Sequence, residues 1–412
     1  MSGRSLADWL AYIERQHAQR IALGLERVAE VFARLKVKIS CPVITVAGTN
    51  GKGSTCAMLE SILQAAGYRT ALYTSPHLLR YNERVRIGGR EADDAALCNA
   101  FEAVEQARGA VPLTYFEYGT LAALLLFARE NIEAAVLEVG LGGRLDAVNV
   151  LDADCAVLSS VGIDHVEFLG TTREAIGREK AGIFRPGRPA VVADPQPPDS
   201  VLGADARLLL IGRDFGYLPQ GTQWAYWGPA GKRSGLAHPA LRGLAQLRNA
   251  SAALAALDSL RERLPVAMQD VRRGLAEVSL PGRFQVLPGR PQLVLDVAHN
   301  PQAAAILAAN LGEAGYSPET IAVVGMLKDK DIAGVLGAVA PRITRWHLAS
   351  LPGPRGANAD LLARVLLEMN VTHPVTKHDG VPQALAAAKK EAGENDKIVV
   401  FGSFLTVAGA YG

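Results

Sequence analysis

Pro42-Val43-Ile44-Thr45-Val46-Ala47, followed at once by Gly48-Thr49-Asn50-Gly51-Lys52-Gly53-Ser54, is the stretch from which the architecture can be read. An apolar, β-branched run ends in a glycine-rich turn, and a helical pattern continues from Lys52 to about Ala66. Glycines let the backbone turn sharply enough for its N–H groups to face a phosphate. The helix N-terminus adds partial positive charge and Lys52 a full one. The Ser54 hydroxyl suits a phosphate-bound Mg²⁺. The stretch departs from the strict GxxxxGK[ST] pattern, with Val46 in place of the first glycine and Gly53 in place of the final Ser/Thr. A glycine turn that binds nothing is the bland alternative. The coincidence of lysine, glycines and a strand-to-helix context outweighs it.

Outward from this loop, apolar β-rich runs alternate with helical patterns. Arg69–Thr74, Ala134–Val139 and Cys155–Ser160 read as strands, and a helix lies near Phe116–Glu130. Continuous apolar strands separated by helices predict a mostly parallel sheet covered on both faces. Residues 200–240, with Trp224, Tyr226 and Trp227, lack helical period and read as short antiparallel strands at the edge of the first domain. Helices follow around Leu244–Arg263 and Ala267–Val278. Leu280–Pro291 contains Pro281, Gly282, Pro288, Gly289 and Pro291 and reads as a linker. The alternation then restarts with Leu293–Val297, a helix from Pro301, Ile321–Val324, a helix near Asp331–Ala340, and further units to Val399–Gly402. The expected fold is α/β: a P-loop-containing, mostly parallel sheet domain over residues 1–283, and a smaller Rossmann-like α/β domain over residues 284–412.

Composition agrees with this. The 412 residues are 49% apolar and 20% charged, as expected of a soluble two-domain protein with a large core. A formal net charge of +2 implies no field of one sign, which argues against nucleic acid and anionic membrane as partners. Arg4, Asp8, Glu14, Arg15 and Arg20 leave no apolar signal core. The apolar run Leu121–Ala128 is far short of the roughly 20 residues a membrane span needs. Cys41, Cys56, Cys98 and Cys155 are scattered without a CxxC pair and read as reduced thiols of a cytoplasmic protein.

The motifs together resemble the Mur ligase superfamily and, within it, the bifunctional dihydrofolate synthase/folylpolyglutamate synthases. Besides Gly48–Ser54 they are Thr74-Ser75-Pro76-His77-Leu78, Glu138-Val139-Gly140-Leu141-Gly142-Gly143-Arg144-Leu145-Asp146, Gly162-Ile163-Asp164-His165, Arg178-Glu179-Lys180-Ala181-Gly182 and Asp296-Val297-Ala298-His299-Asn300-Pro301. They stand in the family's order and cover almost the whole chain. Val148 stands where family members often carry threonine. The resemblance implies an ATP-binding, Mur-ligase-like domain and a C-terminal glutamate-ligase domain. Its expected substrates are ATP, L-glutamate, dihydropteroate and reduced folates.

Read as chemistry, Glu138 ends an apolar strand before a glycine-rich loop, where open α/β sheets place ligand-contacting groups. A carboxylate there suits Mg²⁺, which prefers oxygen ligands. Ser75 either caps a turn or offers its hydroxyl to the same ion, and the resemblance assigns it to the metal. His165, by residue type a hydrogen-bonding loop histidine, is placed by the resemblance at a second Mg²⁺. Lys180, by residue type a snorkelling surface lysine, is implied to be carbamylated and to act at that second ion. Lys52, His165 and Lys180 are thus the expected catalytic residues, and Ser75, Glu138, His165 and Lys180 the metal-binding ones. Thr114-Tyr115-Phe116-Glu117 and Leu145 match the family's dihydropteroate contacts, where aromatic faces can stack on a pterin. ATP is expected on Thr49, Asn50, Gly51, Lys52, Gly53 and Ser54, with Asn249, Arg283 and Asp296 added by the resemblance. His299 and Ser403 are candidates for the glutamate pocket. Asn300 and Pro301 are explained as N-cap and first helical residue.

The expected mechanism is phosphorylation of the acceptor carboxylate to an acyl phosphate, then attack by the glutamate amine in a cleft closed by a hinge near Leu280–Pro291. Three rivals remain. A peptidoglycan-precursor Mur ligase would carry a preceding domain of roughly 100 residues, and Gly48 comes too early for one. A monofunctional folylpolyglutamate synthase would lack dihydrofolate synthase activity. A nucleotide-controlled switch would show no glutamate-dependent turnover. With no oligomerisation signature, a monomer is the default.

Overall fold

The computed structural model describes residues 3–19 and 21–411; Arg20, one of the charges read near the N-terminus, lies outside the described residues. The chain divides into two compact units. One comprises the residues up to Ala240 together with Leu247–Val278, and the other Leu241–Gln246 together with Ser279 onward.

The first unit is built on eight strands: β1 (Val43–Ala47), β2 (Thr70–Tyr73), β3 (Val85–Ile87), β4 (Arg90–Glu91), β5 (Ala134–Glu138), β6 (Cys155–Leu158), β7 (Pro189–Val192) and β8 (Arg207–Leu210). Their order is β4-β3-β2-β5-β1-β6-β7-β8. From β2 to β8 neighbours run parallel, and β3 and β4 add an antiparallel edge. Every residue of β1, β5 and β6 is buried, as a sheet covered on both faces requires. One core cluster gathers Trp9, Phe101, Tyr118, Leu121 and Leu137; another gathers Val139, Leu158, Ile176, Ile183 and Val201.

Two expectations change in this unit. Residues 207–210 extend the main sheet as a parallel strand instead of forming an antiparallel edge, because β8 pairs with β7 in register Pro189–Arg207 to Val192–Leu210. The aromatic segment after it forms a separate three-stranded antiparallel sheet of β9 (Gly216–Gln220), β10 (Gln223–Gly228) and β11 (Gly231–Ala237). Asp258, near the end of the helix Gln246–Ser259, staples that small sheet. It accepts from Tyr226 Oη and Arg233 Nη2, each at 2.7 Å.

The second unit holds β12 (Gln285–Leu287), β13 (Gln292–Leu295), β14 (Thr320–Val324), β15 (Arg345–Ala349), β16 (Val375–His378) and β17 (Lys397–Phe401), in the order β12-β13-β17-β14-β15-β16. Only β12 is antiparallel. The stretch read as a linker thus contains a strand, and the compact units divide between Val278 and Ser279. Residues 241–246 go with this unit, where the Leu244 N–H donates to Asn310 Oδ1 at 2.9 Å. Among the described residues no helix is long and apolar enough to cross a membrane.

Candidate active site

All strands of a parallel array end on one edge, and ligands gather in the loops there. In the first unit that edge collects four separately predicted features. Gly48–Ser54 follow β1, Ser75 follows β2 by two residues, Glu138 is the last residue of β5, and Asp164-His165 lie on the loop after β6.

The phosphate loop turns into its helix at Gly51, whose φ of +89° only glycine adopts readily. The Thr55 N–H makes the first intrahelical bond, to the Gly51 carbonyl at 3.0 Å. By helix geometry the N–H groups of Lys52, Gly53 and Ser54 have no intrahelical acceptor and are available to an anion. Lys52 Nζ curls back to donate to the Gly48 carbonyl at 3.0 Å, which keeps its charge within the loop. The helix Gln246–Ser259 delivers Asn249 to the same place. A β-carbon on Gly51 would fall 2.7 Å from Asn249 Oδ1.

Glu138 is buried, and its Oε2 accepts the Ser75 N–H at 3.2 Å, so the first proposed pair of metal ligands is adjacent. His165 sits at φ +52° at the start of a short helix, with its N–H donating to Asp164 Oδ1 at 2.8 Å. Lys180 lies on the helix Arg173–Ala181, capped by Thr172, but it is buried, with 4% of its surface exposed. Among the described residues no carboxylate lies within ion-pair distance of its amine. Burial, and then the charge of Lys52, pulls its pKa down to about 7. The snorkelling reading is therefore excluded. Asp146 completes this electrostatic group. Its oxygens accept from the Leu141 and Val148 N–H groups at 2.9 and 3.1 Å, and burial pushes its carboxyl up to about 7.

This donor set fits Mg²⁺. Among the described residues no three His, Cys, Asp or Glu side chains converge on one point. A closed structural zinc site would need four such ligands. An ion held by one carboxylate and a hydroxyl, keeping phosphate oxygens and waters, needs no more than Glu138 and Ser75 supply.

The segment expected to hold the pterin splits in two. Thr114 caps the helix Tyr115–Arg129 by accepting from the Glu117 N–H, and the Glu117 carboxylate accepts from the Thr114 N–H at 2.7 Å. Glu117 also pairs with Arg27 at 2.7 Å. Both capping residues are buried, so they position the helix start, and the half-buried Tyr115 and Phe116 are the ones that present surface. The Phe116 ring packs 5.9 Å from Tyr73 and covers Gly140, where a β-carbon would fall 2.6 Å from it. Arg84 lies over the rings of Tyr81 and Tyr115 and donates from Nε to His77 Nδ1 at 2.8 Å. Leu145 is half-buried, and its carbonyl accepts from the Gly24 N–H at 3.4 Å.

The remaining candidates belong to the second unit and cluster on its own carboxyl-end loops. Asp296 accepts from the Phe284 and Ala298 N–H groups at 2.9 and 2.8 Å, and burial pushes its carboxyl up to about 6. Arg283 lies 5.1 Å over the Phe404 ring, and the His299 ring lies 6.2 Å from Phe404. His299 Nδ1–H donates to the Val297 carbonyl at 2.8 Å. Ser403 is buried and its hydroxyl caps the helix Phe404–Ala408 through the Thr406 N–H at 3.0 Å; the side chain is engaged in that cap.

Sequence reasoning missed Ser159, Ser160, Asp146 and Arg27. Ser159-Ser160 carried a usable signal, since polar residues directly after a buried parallel strand stand on the ligand edge. Arg27 carried none.

Residues 46–196 match the family model described as the Mur ligase middle domain, and residues 282–404 match the Mur ligase glutamate ligase domain. The chain is 46% identical over 408 residues to the dihydrofolate synthase/folylpolyglutamate synthase of Escherichia coli, covering 98% of this chain and 94% of the relative. The solved structure of E. coli FolC in complex with DHPP and ADP is similar, with a TM-score of 0.94 at 45% identity over 99% of this chain and 97% of that one. So is a bifunctional folylpolyglutamate synthase/dihydrofolate synthase with Mn, AMPPNP and L-glutamate bound, with a TM-score of 0.90 at 45% identity over 98% and 97%.

Proposed function

We propose, for a chain that belongs to the dihydrofolate synthase/folylpolyglutamate synthase family of Mur ligases, that it joins L-glutamate to dihydropteroate and to folylpolyglutamates at the cost of ATP, through an acyl phosphate. The observation that carries the reading is the gathering of the phosphate loop, Ser75, Glu138 and His165 on one edge of one sheet.

Residues 49–54 bind the nucleotide phosphates, with the N–H groups of Gly51, Lys52, Gly53 and Ser54 facing them, and Lys52 offsets their charge. Asn249 approaches the same loop, and Arg283 and Asp296 are further ATP contacts. Ser75 and Glu138 would hold one Mg²⁺, and His165 and a carbamylated Lys180 a second. An ion held there would offset charge on the transferring phosphoryl group. Tyr115, Phe116 and Leu145 orient the pterin acid, with Thr114 and Glu117 fixing the helix start. An oxygen of the acceptor carboxylate forms a bond to the γ-phosphorus and ADP leaves. The neutral amine of L-glutamate, oriented by His299, then attacks the carbonyl carbon; phosphate leaves and the nitrogen gives up a proton.

Lys180 is the residue whose environment favours modification. A buried amine with pKa about 7 is substantially unprotonated near neutrality, and only the neutral amine adds to CO₂. The nitrogen gives up a proton as the N–C bond forms, and the resulting carbamate carries one negative charge shared by two oxygens where the protonated amine carried a positive one. The protein acts as a cytoplasmic monomer. The test is ADP release with L-glutamate and with dihydropteroate or tetrahydrofolate, singly and in pairs. Turnover should need glutamate together with either pterin acid. Turnover with the reduced folate alone as acceptor would make the enzyme monofunctional, and glutamate-independent turnover would reject the ligase.

A further inference from the structure

The loop after β6 braces the phosphate loop from outside it. Ser159 and Ser160, both buried, face the loop across the β1–β6 pair. Ser160 Oγ accepts the Asn50 N–H at 3.0 Å and lies 3.0 Å from the Asn50 carbonyl, bridging both sides of that residue's backbone. Ser159 Oγ donates to the same carbonyl at 2.7 Å. The bonds extend outward on either side. The Thr49 N–H donates to the Ser160 carbonyl at 2.9 Å, and the Gly162 N–H donates to Thr49 Oγ1 at 2.9 Å.

The consequence follows from peptide geometry. A trans peptide is planar, so its C=O and N–H point in opposite directions. With the Asn50 carbonyl drawn toward two serine hydroxyls, the N–H of Gly51 points away from them. That N–H joins those of Lys52, Gly53 and Ser54 at the open helix N-terminus. Turned the other way, the same peptide would present a carbonyl oxygen to the nucleotide's phosphates. Meanwhile the Asn50 N–H is consumed by Ser160 and is not part of the cradle.

We propose that Ser159 and Ser160 are positioning residues for ATP, holding the Asn50–Gly51 peptide with its carbonyl toward the serines and its N–H toward the phosphates. The inference rests on the reading of residues 49–54 as the ATP site. It adds a dependence of nucleotide affinity on two side chains outside residues 49–54. The same loop continues to Asp164-His165, so the clamp also ties the phosphate cradle to the carrier of the second proposed metal ligand.

The experiment measures ADP affinity by calorimetry in Mg²⁺, together with steady-state constants, for the full-length wild type and for Ser160→Ala, Ser160→Thr and the double variant Ser159→Ala/Ser160→Ala. Ser160→Ala leaves a backbone N–H without its acceptor. It should weaken ADP binding about tenfold, the factor for one such bond. KM for ATP should rise in step, while KM for glutamate and the melting temperature hold. Ser160→Thr, which keeps the hydroxyl, should restore affinity, and the double variant should bind more weakly than Ser160→Ala. Wild-type affinity in the double variant overturns the proposal. So does a loss in Ser160→Ala that Thr fails to rescue or that merely follows a fall in melting temperature. Failure of the wild type itself to bind ADP would instead remove the ATP site on which the inference stands.

Discussion

Lys180 shows how far a single residue's meaning depends on burial. Nothing in Arg178-Glu179-Lys180-Ala181-Gly182 distinguishes a solvated lysine from a buried one, yet in the fold the amine is desolvated and its pKa falls to about 7. An unfolded lysine titrates near 10.4. Between these values the unfolded chain binds more protons than the native one, so stability rises with pH across that window. The burial cost is therefore fully present below about pH 7 and gone above the unfolded pKa. Replacing the amine with a group of similar length and no charge, Lys180→Met, should abolish turnover. In CO₂-free buffer it should also stabilise the fold by on the order of a few kcal/mol at pH 6, less at pH 9 and almost nothing at pH 10.5. Chemical denaturation at the three pH values checks this; a destabilised Lys180→Met protein at pH 6 would mean that the amine has a partner that compensates its burial. Glu138 was legible for the opposite reason. A carboxylate closing an all-apolar strand is exceptional within the sequence itself, and the strand end fixes where it must lie.

At the scale of elements, the helix Tyr115–Arg129 was readable in its body and misleading at its start. Thr114-Tyr115-Phe116-Glu117 satisfies two patterns at once, a ligand-contacting segment and an S/T-x-x-E capping box. Sequence alone does not separate them. The structure buries the first and last residues in the box and leaves the aromatic pair half-exposed, so capping falls to Thr114 and Glu117 and the aromatic pair is what remains to meet a ligand. Thr114→Ala should then cost about 1 kcal/mol of stability. It should raise KM for dihydropteroate several-fold through the loosened aromatic pair, while leaving KM for glutamate unchanged. A rise in both constants, or in neither, would break the link between cap and pterin subsite. The misread linker has a related cause. Gln285–Leu287 lies among prolines and glycines that mark turns, and it becomes a strand only because β13 is there to pair with it. Leu6–Ile13 and Asp94–Arg108 were missed although both carry N-caps, Ser5 and Asp93, since neither lies near a motif that drew attention to it.

For the whole molecule, the α/β class and the division into two units were legible because both sheets are continuous apolar strands with helices between. The strand orders were not. Placing β17 between β13 and β14, or β5 between β2 and β1, depends on pairings across long separations that leave no local trace. Those orders nevertheless set the chemistry, because they determine which strand ends are neighbours. The ends that meet on the ligand edge of the first unit carry a lysine, hydroxyls, a carboxylate and a histidine, and the four cysteines are scattered through the chain instead of gathering there. The route proposed for this site is direct transfer between bound substrates, which asks the protein for positioning and charge stabilisation. In direct transfer a carboxylate oxygen of the pterin acid becomes the bridge to phosphorus, and the later attack of the glutamate amine cleaves the bond from that oxygen to the carbonyl carbon. The bridging oxygen leaves with the phosphate. Dihydropteroate labelled with ¹⁸O in both carboxyl oxygens should therefore deliver one labelled oxygen to each inorganic phosphate released and retain the other in the new amide carbonyl, as read by mass spectrometry of both products. Label recovered in AMP would mean attack at the α-phosphorus, and label in neither nucleotide nor phosphate would rule out activation of the carboxylate by ATP, leaving the arrangement of Lys52, Ser75 and Glu138 without the reaction proposed for it.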